Sequence, residues 1–167
     1  GRCDTNLFDY NGVSNYASTE NVENLKFLKK LGVRHKWMWA KYTTNTPLAT
    51  EALLGFRYIL TNRENAKGYE AIGEGDGIKY YRNQYALPVL FPVNDFENFD
   101  LDELNDFQLL NQIWASINGL QEDIFTPNTV SNTSHDGENQ LTVTLENAGS
   151  LYLLIPTRSS YTCLLYT

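Results

Sequence analysis

The longest apolar run of the chain is ALPVLFPV, residues 86–93, and prolines stand at positions 88 and 92. A membrane-spanning helix needs about 20 apolar residues, so this run cannot cross a bilayer. Proline has no backbone N–H, and it forces the residue before it into an extended conformation. The run therefore predicts an extended segment, either an edge strand or a strand that ends at Pro92, with its apolar side chains packed against the protein.

The composition is that of a folded chain with an acidic surface. Hydrophobic residues make up 42% of the 167 residues and aromatic residues 13%, which is too much for a disordered chain. The formal net charge of −7 argues against a nucleic-acid-binding surface, which is normally basic. The length suits one domain or two small ones.

Apolar residues at helical spacing predict two main helices. The first covers residues 20–31, begins after Ser18 or Thr19 as the N-cap, and ends before Gly32. The second covers residues 102–118, begins after Asp100 or Asp102, and ends at Gly119. The expected apolar stripe of the second helix consists of Leu104, Phe107, Leu110, Trp114 and Ile117.

The remaining pattern predicts strands and a long loop. Residues 33–42 favour a strand or an extended loop, and residues 56–60 a strand. Residues 49–54 favour a short helix, and residues 69–72 and 78–81 a hairpin closed by the glycine-rich GEGDG. Residues 126–138 are rich in Thr, Asn and Ser and predict a loop. After that loop, residues 139–167 alternate as strands do.

The fold class that follows is α+β, with a mixed or antiparallel sheet, two main helices and a β-rich, sandwich-like C-terminal part. We predict an α+β domain over residues 1–125, the loop at 126–138, and the start of a β-rich subdomain at 139–167. Because the last strands would leave an open sheet edge, we expect the sequence to be a piece of a longer protein.

No catalytic constellation is visible in the sequence, and we expect no catalytic residue, metal or cofactor in this chain. Cys3 and Cys163 lie near opposite ends, and they form either a disulfide or two separate thiols. The two histidines do not have the spacing of metal ligands.

One aromatic stretch, HKWMWAKY at residues 35–42, suggests a binding surface. Trp37, Trp39 and Tyr42 could stack on sugar rings, and Lys41 beside them could bind a phosphate. The alternative is a strand that buries Trp37 and Trp39 in the core and leaves its cations in solvent.

Four segments, in order, resemble the YfhO family of bacterial polytopic membrane proteins. They are YNGVSNYASTENVENLKFLKKLG at 10–32, TPLATEALLGFRYILTN at 46–62, YYRNQYALPVLFPV at 80–93, and NDFQLLNQIWASINGLQEDIF at 105–125. The resemblance covers nearly the whole chain. It departs at the end, where IPTRSSYTCLLYT lacks the Gly-Trp strand that usually follows in the family.

The resemblance implies a parent membrane protein with a glycosyltransferase-C-like architecture that modifies cell-envelope polymers, lipoteichoic acid in particular. This chain would be an extracytoplasmic part of it, located at the outer face of the cell membrane. The catalytic acid of that architecture would lie upstream, so the chain alone is not expected to be active. Expected partners are the membrane-embedded remainder of the polypeptide and an envelope glycan or lipoteichoic acid, with no nucleic acid.

Two functions from different classes follow from this resemblance. The first is an accessory domain of a sugar-transferring membrane enzyme, and the alternative is a non-catalytic structural or glycan-binding module of the envelope. Many hydrophobic segments upstream, with an acidic residue in the first outer loop, would favour the first function, and their absence would favour the second.

Overall fold

A computed structural model describes residue 12 and residues 15–16, 21–36, 39–41, 46–94, 99–127, 130–136, 140–145, 151–155 and 162–166. These residues form three helices and ten strands. The helices are α1 (Val22–Lys30), α2 (Leu48–Leu53) and α3 (Asp106–Asn118). The strands are β1 (Asn15–Tyr16), β2 (Arg34–Lys36), β3 (Trp39–Lys41), β4 (Tyr58–Thr61), β5 (Glu70–Gly75), β6 (Ile78–Arg82), β7 (Val130–Asp136), β8 (Gln140–Leu145), β9 (Leu151–Ile155) and β10 (Thr162–Tyr166).

Every strand pair in the described residues is antiparallel. The strands form two three-stranded sheets, in the orders β1-β3-β2 and β4-β6-β5, and two two-stranded sheets, β7-β8 and β9-β10. This arrangement confirms the predicted α+β class.

Helix α1 begins two residues later than its sequence suggested. Its N-cap is Asn21, whose side chain accepts the backbone N–H of Glu23 at 2.8 Å, and not Ser18 or Thr19. Gly32 ends the helix as predicted, with φ +82°. The N–H groups of Gly32 and Val33 donate to the carbonyls of Lys29 and Leu28, which is the Schellman arrangement that a left-handed glycine permits.

Helix α3 also begins later than predicted, at residue 106. Asn105 caps it by accepting the backbone N–H groups of Phe107 and Gln108, and the Gln108 side chain accepts the N–H of Asn105 in return. Asp100 instead accepts the N–H groups of Asp102 and Glu103 in a preceding turn. The prediction that Asp100 or Asp102 starts the helix was wrong because the reciprocal capping box satisfies two backbone donors at Asn105.

The core lies between α1 and α3. Its buried members are Leu31, Leu109, Leu110 and Ile113. Of the predicted stripe of α3, Leu110 is buried, whereas Leu104, Phe107, Trp114 and Ile117 are half-buried. The helix is therefore rotated so that positions 109, 110 and 113 face inward.

The β5-β6 hairpin is longer and its turn tighter than GEGDG suggested. Glycines 73 and 75 belong to β5, and the two-residue turn is Asp76-Gly77, both with positive φ. Asp-Gly at these two positions suits the type I′ turn that matches strand twist. Tyr80 lies over the two glycines, because a Cβ built on Gly75 would come within 2.7 Å of its hydroxyl.

The predicted loop at 126–138 is largely a strand. Residues 130–136 form β7, which pairs with β8 from Val130 opposite Leu145 to Asp136 opposite Gln140. Polar Thr, Asn and Ser residues favour turns locally, but the hydrogen-bond ladder with β8 satisfies the same backbone groups. The strands predicted beyond residue 139 are confirmed as β8, β9 and β10.

An aromatic cluster of Phe107, Phe125 and Tyr152 joins α3 to β9. The ring centroids of Phe125 lie 5.1 Å from Phe107 and 5.2 Å from Tyr152. Asn111 fixes this cluster, since its amide donates to the carbonyl of Phe125 and accepts the N–H of Phe125, both at 2.9 Å. These aromatic contacts thus join residues on the two sides of segment 126–138, where we predicted a domain boundary.

Candidate functional site

The short helix α2 carries a buried polar pair into the body of the protein. Thr50 donates its hydroxyl to the carbonyl of Leu31 at 2.6 Å, and this bond ties α2 to the end of α1. The next residue, Glu51, is only 5% exposed. Its carboxylate accepts the hydroxyl of Tyr69 at 2.9 Å.

The Tyr69 hydroxyl is held in its protonated form. Burial raises the pKa of Tyr69 strongly, and the nearby negative charge of Glu51 raises this pKa further. A phenol that stays protonated is a permanent donor, so it stabilises a carboxylate that has been removed from water.

Asn83 completes this buried cluster from the end of β6. Its backbone N–H donates to the carbonyl of Arg57 at 2.8 Å, and its side-chain oxygen accepts the N–H of Tyr85 at 2.9 Å. Its Nδ2 is buried and makes no hydrogen bond of good geometry within the described part of the chain. The amide nevertheless lies close enough to the Tyr69 hydroxyl to lower the pKa of that group slightly.

The cluster holds the base of an apolar loop, residues 85–93. The N–H of Leu87 donates to the carbonyl of Ala52 in α2 at 2.9 Å. Gly55 leaves room for this approach, because a Cβ there would meet the Leu87 carbonyl oxygen at 3.1 Å. At the far end, Asn94 donates its N–H to Ser116 of α3 and its amide to the carbonyl of Ile117.

Between these two anchors the loop exposes its apolar side chains. Val89 is 95% exposed and Leu90 88%, and both Tyr85 and Val93 are exposed as well. Residues 86–93 form no strand, which contradicts the edge strand and the packed side chains that the sequence predicted. The physical reason is that Pro88 and Pro92 cannot donate to a ladder, and both ends of the segment are held by side-chain and loop contacts elsewhere.

The protein family described as "Bacterial membrane protein YfhO" matches residues 4–162 of the chain. The chain belongs to the YfhO family. No curated protein and no solved structure matches it. Within the described residues, no helix of this YfhO-family chain has the length and apolar character to span a bilayer.

The segments that carry the YfhO resemblance meet in space. Thr50 and Glu51 come from the segment at 46–62, and Asn83 comes from the segment at 80–93. Two backbone hydrogen bonds link these segments directly, from the N–H of Asn83 to the carbonyl of Arg57 and from the N–H of Leu87 to the carbonyl of Ala52, and they fix the base of the apolar loop. No pattern in the sequence indicated the burial of Glu51, since a single carboxylate in a short helix is usually solvated.

The glycan-binding residues suggested by the sequence are only partly described. Trp39 and Lys41 lie in β3, whereas Trp37 and Tyr42 lie outside the described residues. In the β2-β3 register, Lys41 is opposite Arg34 and Trp39 is opposite Lys36. The segment predicted as a strand or an extended loop thus contains two antiparallel strands, which bring three cationic residues, Arg34, Lys36 and Lys41, to neighbouring positions. Cys3 likewise lies outside the described residues, and Cys163 is opposite Leu154 in the β9-β10 pair.

Proposed function

We propose that this chain is an accessory, extracytoplasmic part of a YfhO-family membrane protein that transfers sugars onto cell-envelope polymers. The match of the family to residues 4–162 is the observation that carries the proposal, because it places the chain in a family of bacterial membrane proteins. Sugar transfer, lipoteichoic acid as the acceptor, and the outer face of the membrane come from the resemblance of the four segments.

The chemistry of the described residues supports an accessory role rather than a catalytic one. Glycoside chemistry commonly uses two carboxyl groups that face the same sugar. Glu51 is instead enclosed and is occupied by the hydroxyl of Tyr69. The resemblance puts the catalytic acid of the parent protein upstream of this chain, in an early extracytoplasmic loop near the membrane.

The β2-β3 pair supports binding of an anionic polymer. Arg34 and Lys41 occupy directly opposite positions, and like charges at such positions destabilise a sheet. Cations at such positions suit a phosphate group between them, and a lipoteichoic acid chain carries phosphates. Trp39, opposite Lys36, adds an aromatic ring to the same short pair of strands.

Sugar transfer is tested with the full-length membrane protein reconstituted in vesicles with lipid-linked sugar donors and lipoteichoic acid. We expect transfer by the full-length protein and none by residues 1–167 alone. Transfer by residues 1–167 alone would contradict the accessory role. A full-length protein that is folded and inactive with every donor would contradict sugar transfer itself.

Polymer binding is tested separately by calorimetric titration of residues 1–167 with deacylated lipoteichoic acid. We expect salt-sensitive binding that Lys41→Ala and Arg34→Ala each weaken several-fold, because each removes one contact to a phosphate. Lys67→Ala is the matched control, since it makes the same change of charge at an exposed turn. Equal effects of all three variants would show that only the overall charge matters, and this would contradict a site on β2-β3.

A further inference from the structure

We infer that the apolar loop, residues 85–93, touches the lipid surface of the bilayer that carries the parent protein. The inference rests on the membership of the chain in a membrane-protein family and does not depend on sugar transfer. A failure of either proposal therefore leaves the other standing.

The loop has the chemistry of a lipid contact. No charged residue occurs from Asn83 to Asn94, a stretch of the sequence that reads NQYALPVLFPVN. Its two most exposed side chains, Val89 and Leu90, are adjacent and aliphatic. Tyr85 is exposed nearer the base, and tyrosine favours the boundary between lipid headgroups and water.

The loop is also held in place rather than loose. The Leu87 N–H is bound to Ala52, and the Asn94 N–H is bound to Ser116, each at 2.9 Å. The buried cluster of Glu51, Tyr69 and Asn83 supports the first of these anchors. A loop fixed at both ends presents its apolar tip without an additional cost of ordering when it meets another surface.

A protein partner fits this surface less well than lipid does. A specific protein interface covers roughly 800 Å² on each partner and involves about 20–30 residues on each side. Here the exposed large apolar residues of the loop are Tyr85, Val89, Leu90 and Val93. The prolines at 88 and 92 also prevent the loop from adding a strand to a partner sheet.

The net charge of −7 indicates which kind of lipid contact to expect. An acidic chain is repelled by anionic headgroups, so the contact must be apolar and not electrostatic. Two aliphatic side chains give only weak and reversible binding by themselves. Attachment to a membrane-embedded part would raise the effective concentration to about the millimolar range, at which a weak contact is occupied.

The test places a tryptophan reporter in the loop of residues 1–167 and tethers the chain to vesicles. A hexahistidine tag at either terminus binds a nickel-chelating lipid in vesicles of phosphatidylcholine with brominated acyl chains, which quench nearby tryptophan. The reporter is Val89→Trp, and its matched control is Val22→Trp, at an exposed valine in the first turn of α1. The parent chain supplies the background from its native tryptophans.

We expect a loss of emission for Val89→Trp beyond that of the parent chain, and no extra loss for Val22→Trp. Equal quenching of both reporters, or no extra quenching with the tag at either end, overturns the inference. A loop that docks on protein instead of lipid gives the latter result. If circular dichroism shows that Val89→Trp does not fold, Leu90→Trp replaces it under the same criteria.

A second arm replaces part of the phosphatidylcholine with phosphatidylglycerol at low and high salt. If the contact is apolar, the quenching of Val89→Trp at low salt stays the same or decreases when the vesicle surface becomes anionic. Quenching that increases with phosphatidylglycerol and disappears at high salt would mean an electrostatic contact, and this result also overturns the inference.

Discussion

Helix α3 and the apolar loop both carry several large apolar side chains, but these side chains are buried in α3 and exposed in the loop. In α3, Leu109 and Leu110 are at most 1% exposed. In the loop, Val89 and Leu90 are almost completely exposed. Apolar composition alone therefore does not decide which segment enters the core.

The difference lies in what each backbone can do with its hydrogen-bonding groups. Helix α3 satisfies its own N–H and carbonyl groups, begins with a capping box at Asn105, and ends at Gly119 with φ +65°. The loop has prolines at 88 and 92 and forms neither helix nor strand. A segment that cannot pair its own backbone is costly to bury, so it stays at the surface even when its side chains are apolar.

Leucine-to-alanine substitution in each region gives the largest expected contrast. Leu109→Ala should lower the free energy of unfolding by about 2–5 kcal/mol, because it leaves a cavity in a fully buried site. Leu90→Ala should change it by no more than about 0.5 kcal/mol, because the side chain is already in solvent. Urea denaturation measures both. A similar loss for the two variants would mean that the loop is packed in solution, and the contrast would fail.

The pH dependence of stability should also separate the two regions, since residues 86–93 hold no titratable group. Asp106 lies buried at the start of α3, and burial raises its pKa from 3.8 to about 6, although the charges of Lys30 and Lys29 oppose the shift. Because the folded state binds this proton more tightly, the stabilising contribution is complete below pH 3.8 and is lost as the pH rises through about 6.

Asp106→Asn removes this dependence. As the pH rises from 4 to 7.5, the free energy of unfolding of the variant should increase, relative to that of the parent chain, by up to about 3 kcal/mol. Denaturant titrations over that range measure the gain, and Asp123→Asn, at an exposed position, is the control. A constant difference between Asp106→Asn and the parent chain would show that this carboxyl is not the source.

Removing the two hydrogen bonds from the Asn111 side chain to the Phe125 backbone tests how far the buried region extends toward β9. Asn111→Ala leaves the N–H and carbonyl of Phe125 without their partners, which typically costs about 1–3 kcal/mol. We also expect a weaker near-ultraviolet circular dichroism signal, because Phe107, Phe125 and Tyr152 lose their fixed packing. Asn118→Ala, at the exposed end of α3, should change neither quantity. An unchanged aromatic signal in Asn111→Ala would show that the three rings stay packed without the hydrogen bonds of Asn111.

The local signals in the sequence correctly predicted the helix ends at glycine and the presence of the hairpin, but not that its turn has only two residues. Gly32 and Gly119 both adopt the positive φ that ends a helix, and Asp76-Gly77 forms the turn of the β5-β6 hairpin. The helix starts were less predictable. Several Ser, Thr, Asp and Asn residues precede each helix, and which one caps it depends on where the helix packs.

Interactions between distant residues account for the predictions that were wrong. The Thr- and Ser-rich stretch before residue 137 forms β7 because β8 provides a ladder, and local composition contains no information about that partner. The same holds for the buried cluster, since Glu51, Tyr69 and Asn83 are far apart in sequence and meet only when α2 packs beside β6. The glycan-binding role of Trp37, Trp39, Tyr42 and Lys41 stays a prediction.

The sequence by itself determined the α+β class, the family, and the positions of the helices and of the β5-β6 hairpin. These depend on periodicity, glycine and short motifs, which act over a few residues. Only the tertiary structure decided that residues 86–93 face outward, that Glu51 faces inward, and that β7 exists. Each of these outcomes depends on whether a distant segment supplies a hydrogen-bond partner, and a chain cannot pair those groups until it has folded.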